Sequence, residues 1–349
     1  MSLQLTITRP DDWHIHLRDK KALEHTVKDA SQFFTRVMVM PNLQPPIRTT
    51  KNAEIYRQQI LAAYSSKKES FIPLMTLYLT DETTVQDIED ACASGIIYAA
   101  KLYPAGATTN SELGVTSIKK IFPVLEAMSR LKLPLLVHGE ITRKTLDIFD
   151  REKAFIDEQL IPLIDRFPNL TLVLEHITTR QAVQFINEAK YNIGATVTPQ
   201  HLLYNRNDLL VGGVKPHLYC LPILKRSEHQ EALIQAVTGH NKRFFIGTDS
   251  APHTQDSKES NCGCAGCYSS YCAIELYAEL FDQQKALSNL EPFVSFNGPD
   301  FYQLPRNKQT ITLVREPWTV PNHLPFGEQH VIPLYAGKIL QWRCKERSL

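Results

Sequence analysis

Two histidines lie two residues apart in DWHIHLR, an apolar run that predicts a β-strand. Residues i and i+2 of a strand point to the same face, so His14 and His16 can bind one metal ion together while Ile15 packs on the other side. Arg18, two residues further on, offers a planar group suited to a carboxylate. For so short a motif, two hydrogen-bonded core histidines are the alternative.

Ligand-type residues also close other apolar runs. His138 ends the apolar part of LPLLVHGE, His176 that of LTLVLEHI, and Asp249 follows RFFIGT. A buried imidazole is costly unless it is hydrogen-bonded or bound to metal. Together these residues predict a metal centre, and nitrogen and oxygen ligands without thiolate favour zinc, with manganese, cobalt or iron as alternatives.

Lys101, in AAKLYP, is the residue least compatible with a nearby cation. A divalent ion would repel an ammonium group, so this lysine must point away or lose its proton. A neutral ε-amine can react with carbon dioxide to give a carbamate, an anionic bridge between two metals. The spacing alone favours the alternative, a partly buried structural lysine whose charge reaches solvent.

Eight apolar, β-rich runs alternate with helix-like stretches, including residues 51–66, 115–131 and 178–190. The runs are DWHIHLR, RVMVMPN, FIPLMTLYLT, IIYAAKLYP, LPLLVHGE, LTLVLEHI, NIGATVTPQ and RFFIGTDSAPH. Eight βαβ units predict a closed (β/α)8 TIM barrel, an α/β fold with its chemistry at the C-terminal strand ends, where Asn42 also falls. A doubly wound sheet would need a glycine-rich turn where this chain has Arg18-Asp19-Lys20.

The composition is that of a globular protein, with 43% hydrophobic and 21% charged residues. A formal net charge of +1 makes nucleic acid and anionic membrane poor partners. No linker or low-complexity tract divides the chain, which predicts one domain over residues 1–349, with the segment after Glu316 packed against the barrel. Seven cysteines without a secretion signal or an apolar span predict reduced thiols and a cytoplasmic protein.

HIHLR, KLYPAGATTN, the two single histidines and GTDSAPH together resemble the amidohydrolase superfamily, and within it the dihydroorotases of the shorter, bacterial type. The resemblance runs from about Arg9 to at least Arg315. It includes MPNLQPP, VLEHI, VGGVKPHLYCLPILK, KESNCGCAGC and FVSFNGPDFYQLP. It implies a small-molecule substrate, a homodimer, and the reversible interconversion of N-carbamoyl-L-aspartate and L-dihydroorotate in pyrimidine biosynthesis.

The resemblance also implies a role for each site residue. One zinc would be held by His14, His16 and Asp249, and the other by His138 and His176, with Lys101, carboxylated by carbon dioxide or bicarbonate, as the bridge. A hydroxide shared by the two zinc ions would be the nucleophile in hydrolysis, with Asp249 as general base and then acid.

The implied substrate contacts come from several segments. The substrate carboxylate would be bound by Arg18, Asn42 and His253. The main chain at Leu221 and Ala265 would bind the ring, and Thr108 and Thr109 would close over it on a mobile loop.

The cysteine-rich NCGCAGCYSSYC contains one CxxC pair, Cys264 and Cys267. Strong zinc motifs place a second pair a dozen or more residues away, and the sequence has none. The resemblance instead implies a substrate-facing loop.

Three alternatives remain open. A hydantoinase or allantoinase would share the metal ligands but not the residues that bind a substrate carboxylate. The presence of Arg18, Asn42 and His253 argues against this alternative. A catalytically inactive barrel serving as a subunit or scaffold would typically lose metal ligands. A metal or redox module centred on the cysteines would leave the strand-end histidines unexplained.

Overall fold

The computed structural model describes residues 3–64 and 70–347. Its strands are β1 (Gln4–Thr8), β2 (Asp12–Ile15), β3 (Arg36–Val39), β4 (Ile72–Tyr78), β5 (Ile97–Leu102), β6 (Leu135–Val137), β7 (Leu172–Leu174), β8 (Ile193–Val197), β9 (Phe244–Ile246), β10 (Thr310–Thr319), β11 (Leu324–Phe326), β12 (Gln329–Val331) and β13 (Ile339–Cys344). Its α-helices are α1 (Lys20–Ser31), α2 (Thr50–Ala63), α3 (Val85–Ser94), α4 (Phe122–Leu131), α5 (Arg151–Phe155), α6 (Ile161–Arg166), α7 (Arg180–Glu188), α8 (Pro199–Leu203), α9 (Arg206–Leu210), α10 (Ser227–Thr238), α11 (Gln255–Lys258), α12 (Ala273–Gln283) and α13 (Asn297–Phe301).

Strands β2 to β9 form one eight-stranded parallel sheet in which each strand lies beside the next one along the chain. A parallel bridge between Ile15 and Ser250 brings the last strand back to the first, so the barrel is nearly closed. Every residue of β2, β6, β7, β8 and β9 is buried, as a parallel sheet covered by helices requires. The predicted (β/α)8 barrel is confirmed, and the doubly wound alternative is excluded.

The strands are shorter than the apolar runs that predicted them. Strands β6, β7 and β9 have only three residues each. His138, His176 and Asp249 therefore lie just beyond the C-terminal ends of strands, in the connections where barrels carry their chemistry.

The predicted helices differ from the observed ones mainly at their ends. The stretch 51–66 corresponds to α2, and its last two residues lie outside the described residues. The stretch 178–190 corresponds to α7, which begins after Thr179 because the threonine hydroxyl accepts a hydrogen bond from the main-chain N–H of Ala182. In 115–131 the helical part begins only at Ile118, with a 3₁₀ turn before α4.

The chain ends meet outside the barrel. Strands β1, β10 and β13 form an antiparallel sheet, and β13 packs on α12. The buried carboxylate of Glu275 on α12 pairs with Arg347 at 2.7 Å and accepts from the main-chain N–H of Cys344. The segment after Glu316 thus packs against the barrel as expected, while one domain over residues 1–349 stays a prediction.

Trp13 anchors the strand that carries the two histidines. Its buried ring stacks on Tyr302 with ring centroids 4.5 Å apart and meets Phe245 edge-on. The main chain of Gly298 lies so close that a Cβ there would sit 1.9 Å from the indole Nε1. Glycine is therefore needed at position 298 for the indole to reach its place.

Substitution G298A should lower the free energy of unfolding by about 1–3 kcal/mol, because the added methyl group overpacks the indole site. Thermal or denaturant unfolding measures the loss. The control is G239A, whose added Cβ meets a carbonyl oxygen no closer than 3.1 Å. Equal losses in both variants would contradict this account of Gly298.

Candidate metal centre and active site

Barrel closure places an aspartate beside the paired histidines. The main-chain N–H of Asp249 donates to the carbonyl of His14 at 2.9 Å, and that of His16 donates to Ser250 at 3.0 Å. As a result, the ligand atoms of His14, His16 and Asp249 all lie within 4.8 Å of one another. Oδ1 of Asp249 is 3.1 Å from Nε2 of His16 and 3.4 Å from Nε2 of His14.

Four imidazoles form an arc across the barrel mouth. The ring of His14 lies 5.4 Å from that of His16 and 4.9 Å from that of His176, measured between centroids. His138 continues the arc, 4.8 Å from His176. Nδ1 of His176 is buried and has no hydrogen-bond partner among the described residues. The donor set of imidazole nitrogens and a carboxylate suits zinc.

Lys101 lies on β5 beneath this arc and is fully buried. Its Nζ has no hydrogen-bond partner within residues 3–64 and 70–347, and it lies 5.1 Å from the centroid of the Tyr103 ring. Burial lowers the pKa of the amine to about 8, although the carboxylates of Glu175 and Asp249 oppose that shift. The alternative of a lysine whose charge reaches solvent is therefore wrong, since the amine is enclosed.

A cationic side chain stands at the edge of the histidine arc. Nε of Arg18 donates to the carbonyl of Pro252 at 2.9 Å, and its terminal nitrogen lies 3.1 Å from Nε2 of His253. That Nε2 is also 3.1 Å from the carbonyl oxygen of Ala265. Burial, together with the charges of Arg18 and Lys258, lowers the pKa of His253 to about 2, so the ring is neutral.

The loop that carries Thr108 and Thr109 lines the same cavity as the four histidines. Asn42 donates its amide N–H to the carbonyl of Thr109 at 3.0 Å, and the Thr109 hydroxyl donates to the carbonyl of Ala265 at 3.4 Å. The lining of this cavity includes all the predicted site residues except Lys101 and His253: His14, His16, Arg18, Asn42, Thr108, Thr109, His138, His176, Leu221, Asp249 and Ala265. The structure thus brings the sequence-predicted residues together in one place.

Two buried glutamates that sequence reasoning missed contact the histidines. Oε2 of Glu175 lies 2.7 Å from Nδ1 of His14, and Oε2 of Glu140 lies 2.8 Å from Nε2 of His138. The Thr196 hydroxyl also donates to Glu175 at 2.5 Å. Carboxylates behind metal-binding histidines set the tautomer and orient the ring. The sequence did offer a signal for these glutamates: each lies within two residues of a histidine at a strand end, in VHGE and LEHI.

A third buried carboxylate, Asp12, was also missed. It accepts from the main-chain N–H groups of His14 and Thr248 at 3.1 and 2.9 Å, and from the Thr248 hydroxyl at 2.6 Å. Burial raises the pKa of Asp12 to about 7 despite these hydrogen bonds. The side chain therefore ties the first barrel strand to the segment after the last one.

Three site residues have left-handed backbone conformations, with φ of 60° at Arg18, 39° at His176 and 43° at Asp249. Such angles are uncommon outside glycine and cost energy that the surrounding structure must supply. Their coincidence at one cavity indicates that side-chain placement there outweighs local backbone preference.

Histidines, a carboxylate and an enclosed lysine at the C-terminal ends of barrel strands define the class of metal-dependent hydrolases. The amidohydrolase family model matches residues 11–320. A dihydroorotase of Pseudomonas syringae pv. syringae is 62% identical over 348 residues, covering 100% of both chains.

Two solved structures agree with this sequence match. The crystal structure of dihydroorotase from Campylobacter jejuni has a TM-score of 0.90 at 37% identity, covering 99% of this chain and 98% of that one. The Saccharomyces cerevisiae dihydroorotase, crystallised with 5-fluoroorotic acid, has a TM-score of 0.90 at 30% identity, covering 98% of both chains. The chain therefore belongs to the amidohydrolase family and, within it, to the dihydroorotases.

Substitution E175Q should weaken zinc binding about 10- to 100-fold, because the carboxylate behind His14 orients the ring and raises its basicity. Competition with a chelator of known affinity measures the change without any activity assay. The control is E158Q, which alters an exposed glutamate paired with Arg143. Equal zinc affinity in E175Q and E158Q would argue against a role for Glu175 behind the metal ligand.

Proposed function

We propose that the protein catalyses the reversible, zinc-dependent cyclisation of N-carbamoyl-L-aspartate to L-dihydroorotate and water, the third step of de novo pyrimidine biosynthesis. The observation that carries the proposal is the placement of Arg18 and His253, a carboxylate-binding pair, at the edge of the His14, His16 and Asp249 cluster. The match to dihydroorotases over the full chain supports it. A hydantoinase or allantoinase has no need of that pair.

The metal ligands are proposed to divide between two zinc ions. His14, His16 and Asp249 would hold one, His138 and His176 the other, and carboxylated Lys101 both. The enclosed amine of Lys101, which has no hydrogen-bond partner in the described part of the chain, and the nitrogen and oxygen donor set support this assignment. Zinc at this place would lower the pKa of water and polarise the scissile carbonyl.

Asp249 is the proposed general base and acid. Its carboxylate lies 3.1 Å from His16 and 3.4 Å from His14, and the residue lines the cavity. In hydrolysis it accepts the proton of the attacking water and delivers it to the ring nitrogen as the amide bond breaks. In cyclisation the same carboxylate takes the proton from the carbamoyl nitrogen and returns it to the departing water.

Substrate binding is assigned to groups around the cavity rim. Arg18 forms a two-pronged contact with the substrate carboxylate, supported by Asn42 and His253, because a guanidinium matches a carboxylate in geometry as well as in charge. The main-chain groups of Leu221 and Ala265 bind the ring.

Thr108 and Thr109 close the cavity and exclude water, a role supported by the contacts of Thr109 with Asn42 and Ala265.

The proposal extends to assembly and location. The resemblance to dihydroorotases implies a homodimer, and all seven cysteines are free thiols, which suits the reducing cytoplasm. Among the described residues, no helix has the length and apolar character needed to cross a bilayer. Nucleic acid and membrane lipid are not proposed as partners.

Purified protein should open the ring of L-dihydroorotate, lose this activity on chelation, and regain it only when zinc and bicarbonate are both returned. Both additions are needed because a carbamate on Lys101 forms from carbon dioxide and is held by metal. Ring opening is followed by absorbance. Metal-bound protein that turns over hydantoin or allantoin instead would point to the neighbouring cyclic-amide hydrolases, and protein with neither metal nor activity to an inactive barrel.

Substitution R18A should raise KM for L-dihydroorotate about 10- to 100-fold, with a smaller effect on kcat, because charge-assisted hydrogen bonds to the carboxylate are lost in substrate and transition state alike. Steady-state kinetics of ring opening give both constants. R130A, which removes an exposed arginine paired with Glu89, is the control. A wild-type KM in R18A would remove Arg18 from substrate binding.

A further inference from the structure

Lys258, the last residue of α11, carries a buried ammonium group whose hydrogen bonds, among the described residues, go to main-chain oxygens, and which lies 5.7 Å from the centroid of the Tyr219 ring. Lys258 as a whole is only 3% exposed to solvent. Nζ donates to the carbonyls of Tyr219 at 2.8 Å, Cys264 at 2.8 Å and Gly266 at 2.7 Å. No carboxylate of the described residues lies within salt-bridge distance of it. All three N–H bonds of the ammonium are therefore directed at carbonyl groups.

These carbonyls belong to the two segments that flank the proposed ring-binding main chain. Tyr219 lies two residues before Leu221, while Cys264 and Gly266 stand on either side of Ala265. The segments also meet directly, since the N–H of Gly266 donates to the carbonyl of Tyr219 at 2.9 Å. The ammonium thus holds two loops, far apart in sequence, at a set separation.

The helix that bears Lys258 starts beside the carboxylate-binding pair. The hydroxyl of Thr254, the residue after His253, accepts from the N–H of Ser257 and caps α11. The carbonyl of Ser257 in turn accepts from the N–H of Cys264 at 3.3 Å. One short helix therefore connects His253 to the lysine and to the cysteine-rich loop.

The loop has little freedom to take another path. At Gly266, φ is 145° and a Cβ would lie 2.3 Å from the carbonyl oxygen of Ala251. Removing the ammonium would leave three carbonyls, of which that of Gly266 is buried and the other two are part-buried, without their charged donor. The segments would then be joined mainly by the Gly266 to Tyr219 main-chain hydrogen bond and by the Cys267 thiol, which donates to the carbonyl of His217 at 3.4 Å. We expect them to become more mobile, since the three charge-assisted bonds are lost.

We propose that Lys258 is a positioning residue for the substrate ring: by tying Tyr219, Cys264 and Gly266 together it sets the distance between the peptide groups of Leu221 and Ala265. This inference rests on the proposed function, which makes those peptide groups the ring contacts. Charge-assisted hydrogen bonds are strong enough for such a tether. Its benefit is preorganisation, since segments already in place need not be ordered when substrate binds.

The first test is kinetic and compares K258M with K258R. In K258M, KM for L-dihydroorotate should rise about 10- to 100-fold while kcat changes less, since contacts made in both ground and transition state are weakened together. K258R retains charge and donors and should recover part of the loss. A KM in K258M equal to that of the wild type would overturn the proposal.

The second test needs no substrate. Hydrogen–deuterium exchange should quicken in K258M within residues 219–224 and 264–268 and stay unchanged in the barrel strands. The control is K225M, which removes another buried lysine whose Nζ donates at 2.9 Å to Ile223, in its own segment. Because K225M removes a contact within 219–224, the comparison between the variants uses residues 264–268. Exchange there that rises equally in both variants, or exchange that rises throughout the barrel, would mean a merely structural lysine and overturn the proposal.

Two further outcomes are informative. If K258M does not fold, K258Q, which removes the charge but keeps amide donors, decides: a raised KM with faster exchange in the same two segments supports the tether, and wild-type values in both overturn it. If the wild type fails to turn over L-dihydroorotate, the proposed function is refuted, while the exchange measurement still shows whether Lys258 joins the two loops.

Discussion

The closure of the barrel between its first and last strands is the constraint on which the metal centre depends. Hydrogen bonds join Asp249 to His14 and His16 to Ser250, and the buried Asp12 binds Thr248 across the same seam. Residues 235 positions apart along the chain, His14 and Asp249, become neighbours only through this closure. A sheet that stayed open would leave the paired histidines without their carboxylate.

Several buried polar groups around this seam are hydrogen-bonded in pairs, which lowers the cost of keeping them in a barrel interior. Glu175 contacts Nδ1 of His14, and Glu140 contacts Nε2 of His138. These contacts fix the orientation of two rings that line the cavity. Lys258 is likewise hydrogen-bonded, in its case to the main-chain carbonyls of Tyr219 and Gly266 rather than to an imidazole. Among the described residues, the enclosed amine of Lys101 and Nδ1 of His176 have no hydrogen-bond partner, and a bound metal with a carbamate on the lysine would give both of them one.

Much of the fold and of the candidate site could be predicted because the signals are local. Apolar runs of strand length indicated each barrel strand, and the histidines that close two of these runs, His138 and His176, indicated the cavity. The strand ends were misplaced by a few residues, since burial extends beyond the last ladder hydrogen bond. Glu175 and Lys258 were missed because their partners are known only once distant segments are in contact. Glu140 was missed although its partner, His138, is two residues away, because the sequence does not show that both side chains are buried and face each other.

The amino-acid sequence by itself determined the eight strand-forming runs, the ligand types at their ends, and the resemblance to dihydroorotases. Those properties follow from side-chain chemistry and from periodicity over a few residues. Only the tertiary structure decided that Lys101 is enclosed and that Glu175 binds His14. It also decided that Lys258 joins the Tyr219 and Gly266 segments. Burial and hydrogen bonding depend on which segments meet, and that is a property of the closed barrel rather than of any short stretch of chain.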